Sequence, residues 1–386
     1  MVKPPHDPLR ALDRVKGTSG HSPSPRLRNL NQMRTQPRPI CFSLSLGLVV
    51  LALVLGAQVF PPSPVFAADS QAAKPLVSAI ASVGWTVEDL NRSVKFYSRV
   101  LSFHKIRELE VSGDRWEHLE GVFGLRIRIA WLQLGAEQIE LKEYLASRGR
   151  PAPSVSFSND RWFQHIAIIT SDMDRAYNWL CQNKVRQVSS GPQLLPDYLK
   201  AAAGIRAFYF EDPDGHPLEV LQFPAEKGEL KWHQATSQLF LGVDHTAIVV
   251  GNTEVSLKFY RDLLGLGVSG ESENYGPEQE HLNNVFGARL RITSLRASSG
   301  PGIELLEYLA PTNGRPMPED EHANDIIHHE TCLVTEDVAL ASRRLRQARA
   351  PFISSAIIPF PNAEAGFHST LLVRDPDGHP MELVEK

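Results

Sequence analysis

Residues 212–220 read "DPDGHPLEV" and residues 375–383 read "DPDGHPMEL", 163 positions further on. Asp-Pro-Asp-Gly is turn chemistry, because proline presets φ and glycine takes positive φ without steric cost. Both copies lead, after the same interval, to a carboxylate inside an apolar run: Glu219 in "PLEVLQF" and Glu382 in "PMELVEK". Outward from these copies, the same offset superposes "SVKFYSRVLSF" at Ser93 on "SLKFYRDLLGL" at Ser256. It also superposes "EHLEGVFGLRIRI" at Glu117 on "EHLNNVFGARLRI" at Glu280. The register slips by one residue at "QIELKEYLA" against "GIELLEYLA", and again at "GRPAP" against "GRPMP". The chain is therefore an internal repeat. Its halves are read as domains at 76–225 and 241–386, joined by the polar linker 226–240.

Each half divides again. "SAIASVGWTV" reads as a strand, after which Leu90, Val94, Tyr97 and Leu101 fall on one helical face. The alternating runs "LRIRIAWLQL" and "QIELKEYL" read as further strands. The pattern recurs as "QHIAIITSD", "DRAYNWLCQN", "IRAFYFED" and "PLEVLQF". The expectation is an α+β fold of four βαβββ modules forming two tandem domains, with curved sheets that pair to bury their apolar faces.

Four such modules, with "KFY" on the first helix and "DPDGHPxE" entering the last strand, resemble the vicinal oxygen chelate superfamily. That superfamily includes glyoxalase I, extradiol dioxygenases and bleomycin-resistance proteins. The resemblance covers residues 78–386 and does not separate the functions found within the superfamily. It implies metal ligands on the first and last strands of each module. The last-strand position carries Glu140, Glu219, Glu304 and Glu382. A lone glutamate at a sheet margin is ordinarily just solvated; recurrence in four apolar strands argues for a site. The first-strand position carries His245 and His165, whereas in the first module it is Ser82, a poor ligand. In the fourth module it is His328, with Glu330 as rival, since the two share a strand face.

If each half closes on itself, His245, Glu304, His328 and Glu382 make a full set, and Glu140, His165 and Glu219 an incomplete one. If modules pair crosswise, His165, Glu219, His245 and Glu304 are complete. The sequence leaves both pairings open. Imidazole with carboxylate suits Zn, Fe(II), Ni, Co or Mn. Such a divalent metal would act as a Lewis acid on two vicinal oxygens of a small-molecule substrate, with Glu304 or Glu382 as the catalytic base. Arg126 and Arg128, repeated as Arg289 and Arg291, could anchor a carboxylate or simply face solvent. His118 and His281 recur in "EHL", and His216 and His379 are assigned to the turn.

The extradiol pattern requires a tyrosine three residues before Asp-Pro with an upstream histidine. Tyr209 meets the first condition without the second, and Leu372 occupies the other copy. The expected function is therefore a metal-dependent, glyoxalase-like lyase or isomerase. Ring-cleaving dioxygenase and metal-free binding protein are the alternatives.

Residues 1–39 hold eight Lys or Arg, two acids and no apolar periodicity, and are read as a disordered leader. "ICFSLSLGLVVLALVLGAQVF" from Ile40 is free of charge and precedes "PPSPVFAADS", with small residues at Val65 and Ala67. Residues 40–67 are read as a signal peptide, so the protein is expected to be exported, periplasmic or secreted, with Met33 as an alternative start. An uncleaved membrane anchor is the rival reading, since about 20 apolar residues span a bilayer. Loss of 1–67 would move the net charge from -4 to -10, which argues against nucleic acid as a partner. Cys181 and Cys332 would then be the only thiols, too few for a disulfide framework or thiolate site. A monomer or homodimer is expected.

Overall fold

Four times the chain runs from a strand through a side-chain-capped helix into antiparallel strands. The computed structural model describes residues 74–361 and 365–386. The expected leader (1–39) and signal peptide (40–67) lie outside the described residues. In module one, β1 (Val77–Thr86) leads through α1 (Leu90–Val100) to β2 (His104–Ser112), α2 (Asp114–Glu120), β3 (Arg126–Leu134) and β4 (Glu137–Ala146). Module two has β5 (Gln164–Thr170), α3 (Met173–Gln182), the short β6 (Arg186–Gln187) and β7 (Gln193–Leu194), β8 (Arg206–Glu211) and β9 (Pro217–Gln222). Module three has β10 (Phe240–Val250), α4 (Thr253–Leu257) with a π-helical continuation over Lys258–Leu263, β11 (Gly267–Tyr275), α5 (Pro277–Asn283), β12 (Arg289–Arg296) and β13 (Gly302–Ala310). Module four has β14 (His329–Thr335), α6 (Val338–Gln347), β15 (Ile358–Pro359), β16 (Ser369–Arg374) and β17 (Pro380–Glu385). Asp89, Asp172, Asn252 and Asp337 each accept from the backbone N–H three residues on, satisfying a first-turn donor in all four modules.

The sheets pair modules crosswise. Modules one and four form the eight-stranded sheet β15-β16-β17-β14-β1-β4-β3-β2. Modules two and three form the sheet β11-β12-β13-β10-β5-β9-β8-β6, with β7 beside β8. The seams are antiparallel, β1 on β14 and β10 on β5, so the first strands of two modules from opposite halves lie side by side.

The helix-covered faces pair the other way, within the sequence halves. One apolar core joins Leu90, Tyr97 and Phe103 of module one to Ile168, Leu180, Phe208 and Val220 of module two. Its counterpart joins Leu257, Tyr260 and Leu305 of module three to Leu333, Leu345, Leu371 and Leu383 of module four. Here the repeated turn finds its use. The Tyr97 hydroxyl donates to Asp212 Oδ2 at 3.0 Å, and the Tyr260 hydroxyl donates to Asp375 Oδ2 at 2.9 Å. The other oxygen of each aspartate accepts the backbone N–H of His216 or His379 across a glycine at φ 93° or 103°. His216 Nε2 lies 2.8 Å from the Ile326 carbonyl and His379 Nε2 lies 2.9 Å from that of Val249. The "KFY" tyrosine and the "DPDGHP" turn thus fasten two modules of one half together.

Candidate metal centre

β9 starts at Pro217, directly after the turn, and runs parallel to β5 with Glu219 opposite Ala167. His165 lies two residues before Ala167 and shares its strand face. Across the seam β10 sets His245 opposite Ala167 and Ala247 opposite His165, and β13 sets Glu304 opposite Ala247. Four adjacent strands thereby aim four side chains at one place. His165 Nε2 is 3.3 Å from Glu219 Oε2; His245 Nε2 is 3.7 Å from Glu219 Oε2 and 3.4 Å from Glu304 Oε2. Ligand atoms of His165, Glu219 and His245 all lie within 4.8 Å of one another. The four residues line a cavity of 1120 Å³ that also receives Tyr209, Leu282, Ser294 and Leu306.

The surroundings orient the donors. A register shift in β10 between Val243 and His245 lets two consecutive side chains meet, so Asp244 Oδ2 sits 2.9 Å from His245 Nδ1. Arg296 Nη2 donates to Asp244 Oδ2 at 2.9 Å, and the Ser294 hydroxyl donates to Glu304 Oε1 at 2.6 Å. Burial opposes charge on His245, yet Glu304, Asp244 and Glu219 raise its pKa to about 9. Burial likewise works against the Asp244 carboxylate, and His245 with Arg296 outweigh it, holding Asp244 well below the usual range. Asp244 and Arg296 were not singled out in the sequence; the only signal was an acid next to a histidine in "VDHTA".

These residues fit a divalent ion. His165 is buried, and neither ring nitrogen has a hydrogen-bond partner. His245 is held through Nδ1 and turns Nε2 to the carboxylates, the arrangement in which an outer carboxylate fixes the tautomer of a metal-binding imidazole.

The other predicted residues stand elsewhere. Glu382, Glu140 and Ser82 lie on the sheet of modules one and four, where the Ser82 hydroxyl donates to Glu140 Oε1 at 2.5 Å and Thr370 donates to Glu382 Oε1 at 3.0 Å. Gly84 pairs with Glu330 as Ala247 pairs with His165, so Glu330 occupies the first-strand position and His328 falls just outside β14. His328 is therefore corrected from ligand to structural partner: its Nδ1 is 2.7 Å from Glu321 Oε1, whose other oxygen accepts from Arg374 at 2.6 Å. The set His245, Glu304, His328 and Glu382 is not assembled, because crosswise strand pairing puts its members on two sheets. Glu330 forms an ion pair with Lys142, whose Nζ also lies 3.0 Å from Glu120 Oε1. Lys142, too, went unrecognised in the sequence.

Arg128 pairs with Glu108, Arg289 with Glu273 and Arg291 with Glu271, all at the sheet margin. His118 and His281 are exposed. Asp212, Asp214 and His216 also offer ligand atoms close together, but Tyr97, Ser93, Arg92 and the Ile326 carbonyl already engage them.

The model of the Glyoxalase/Bleomycin resistance protein/Dioxygenase superfamily matches residues 79–220 and 242–383. A 2-epi-5-epi-valiolone epimerase of Actinomyces sp is 32% identical over 153 residues, 38% of this chain and 80% of that protein. The metallothiol transferase FosB of Staphylococcus epidermidis is 27% identical over 146 residues, 37% of this chain and 81% of the transferase. Glyoxalase I from Zea mays superposes with a TM-score of 0.53 at 15% identity, covering 80% of this chain and 92% of its own. That last likeness is one of fold.

Proposed function

Because the chain belongs to the Glyoxalase/Bleomycin resistance protein/Dioxygenase superfamily, we propose that it is a divalent-metal-dependent lyase or isomerase acting on a small metabolite with vicinal oxygens. His165, Glu219, His245 and Glu304 would hold the metal. The observation that carries this reading is the convergence of two buried imidazoles and a buried carboxylate within 4.8 Å, with both His165 nitrogens unpartnered. When bound, the ion supplies Lewis acidity that draws electron density from substrate oxygens and acidifies the adjoining C–H.

The chain's own residues supply the remainder. Glu304 is the less buried of the two carboxylates, with its side chain 22% exposed against 6% for Glu219, so it is the one a substrate carbon can reach. The Ser294 hydroxyl occupies Glu304 Oε1, so Oε2 is the oxygen that would take or return a proton, and Glu304 would hold the metal only while it is not serving as base. Burial, reinforced by Glu219, raises the Tyr209 phenol well above its ordinary pKa, so it stays protonated beside His165 as a donor to substrate oxygen. Leu282, Leu306 and Ala207 give that part of the cavity apolar walls that limit competing water. The 32%-identical epimerase supports proton transfer at carbon as the reaction type.

Elemental analysis of the full chain, purified without chelator, tests this. One divalent ion per chain is expected, lost in His245→Ala. A metal-free protein that still binds small molecules would favour the binding-module reading. Export, read from residues 40–67, is a separate proposal. N-terminal sequencing from the native host should find a chain starting near Ala68, and retention of residues 40–60 would overturn it.

A further inference from the structure

The cavity has a second built feature, on the side formed by α5, β11 and the end of β13. Asn274, Gln279, Asn283 and Tyr308 are all buried there, alongside Tyr209. Gln279 Nε2 donates to Asn283 Oδ1. Asn274 Oδ1 and Gln279 Oε1 are buried atoms without a partner, and Asn283 stands against the Tyr209 and Tyr308 phenols. Buried amides and phenols are ordinarily satisfied, and each one left unpaired opposes folding. Gln279 and Asn274 line the same cavity as His165 and Glu304.

The fold does not require these groups. At the offset that relates the halves, Asn274 corresponds to Val111, Gln279 to Trp116 and Asn283 to Glu120, and Tyr144 stands in the place of Tyr308. In that other sheet Trp116 packs on Phe360, Val111 joins the apolar cluster, and the Tyr144 hydroxyl donates to Glu120 Oε2 at 3.0 Å. The same helix and strands are therefore built either with apolar filling or with every hydroxyl satisfied. In the sheet of modules two and three Asn274 and Gln279 stand at the cavity wall with an amide oxygen each unpaired, and Asn283 and Tyr308 lie behind them.

Their chemistry selects a ligand. Amides and phenols both donate and accept, as alcohols do, and none of the four carries a charge. The cations of the cavity are engaged elsewhere: Lys231 with Glu137 at 2.9 Å, Arg296 with Asp244, and Lys227 with the carbonyls of Lys200 and Ala201. Lys386 is exposed. Glu137, Glu219, Asp244, Glu271 and Glu304 line the same space. Away from the metal position a carboxylate or phosphate would meet acidic side chains, and the lining cations other than Lys386 are already engaged.

We propose that Asn274 and Gln279, held from behind by Asn283 and Tyr308, form a hydroxyl-binding subsite, and that the substrate is an uncharged polyhydroxylated carbonyl compound of the sugar or cyclitol class. This rests on the reading of the cavity as the catalytic site. It adds which end of the substrate lies away from the metal and what that end carries.

The test is equilibrium binding to the full chain by calorimetry, with metal content measured on the same samples. myo-Inositol, D-xylose and D-glucose serve as neutral probes, and D-gluconate and glucose 6-phosphate as their charged counterparts. At least one neutral probe should bind, roughly tenfold or more tighter than either anion. Gln279→Met and Asn283→Leu should each weaken it by roughly tenfold, since a site built to bond hydroxyls discriminates through them, while metal content stays unchanged. Gln279→Met conserves shape, so it reports even if Asn283→Leu fails to fold. Tighter binding of the anions, no binding by any neutral probe, or undiminished binding by Gln279→Met would overturn the proposal. Polyol binding by a metal-free protein would overturn only the catalytic reading, and bound metal without polyol binding would overturn only this one.

Discussion

The two sheets put the same backbone to opposite uses. Where modules two and three carry His245, His165, Glu219 and Glu304, modules four and one carry Ser82, Glu330, Glu382 and Glu140 in matching registers. The second set is richer in carboxylates and poorer in imidazoles, and a tethered cation, Lys142, reaches into it. Burial works against the Lys142 ammonium, but Glu120 and Glu330 raise its pKa well above the ordinary value. Glu330 in turn is pulled down to about 2 by Lys142 and His328, against its burial. Burial, and then the Glu330 charge, push Glu382 well up. Trp116, Trp131, Phe360 and Phe367 pack into the space that is open in the other sheet. A glutamate repeated in an apolar strand therefore marks a place for positive charge, and either an ion or an ammonium can fill it.

The largest expected effects fall on the metal. His245→Ala should abolish metal retention by the full chain, while Glu140→Gln and Glu382→Gln should leave its metal content unchanged. Asp244→Asn, which loosens the hold on His245 without removing a ligand, should weaken metal affinity by roughly 10–100-fold, measured by competition with a chromophoric chelator. Loss of metal in Glu382→Gln would break the comparison outright.

Next in size is Lys142→Met. It leaves Glu120 and Glu330 buried without their partner, so unfolding free energy should fall by about 3–5 kcal/mol in denaturant melts, with metal content unchanged. A cost comparable to a surface pair, below about 1 kcal/mol, would mean that Lys142 is not the cation of that sheet.

His328 beside Glu321 gives a smaller, pH-dependent contrast. Burial opposes the imidazolium, but Glu321 and Glu330 raise its pKa to about 9; Glu321 is lowered to about 2 by His328 and Arg374 against its own burial. A raised histidine stabilises fully below its unfolded pKa of about 6.5, and that contribution is lost as pH rises through about 9. A lowered glutamate stabilises fully above its unfolded pKa of about 4.3 and loses this as pH falls through about 2. Stability should therefore decline from pH 6.5 to 9 by up to about 1.4 kcal/mol per unit from this one proton, and His328→Gln should flatten that slope. An unchanged slope would separate His328 from the charge network of its sheet.

The repeat, the modules and the line of glutamates were legible because period and spacing are local properties of the sequence. The pairing of modules was not. All four first strands carry similar apolar patterns, so nothing local tells β10 to choose β5 over β14. His328 and Glu330 lie two residues apart, and only the register of Glu330 opposite Gly84 separates them. Asp244 was hidden because strand neighbours normally face opposite ways, and a register shift undoes that rule here. Lys142 was hidden because a lysine in a strand is by default a solvated one.

The cores provide the control for unequal sheets, because there both halves are built on the same bond. Tyr97 with Asp212 and Tyr260 with Asp375 make the same buried bond at 3.0 and 2.9 Å, each fastening two modules of one half. Each aspartate oxygen that loses the phenol in a Tyr→Phe variant stays beside its turn, whose backbone N–H groups still hold the other oxygen. The loss is then one net hydrogen bond and not a bare buried charge, worth about 1–1.5 kcal/mol. Asp212 Oδ2 also keeps His216 Nδ1 at 2.9 Å, so Tyr260→Phe should lower stability somewhat more than Tyr97→Phe, and neither should alter metal content. A larger cost for Tyr97→Phe, or metal lost from Tyr260→Phe alone, would mean that the difference between the sheets extends through the strands into the cores.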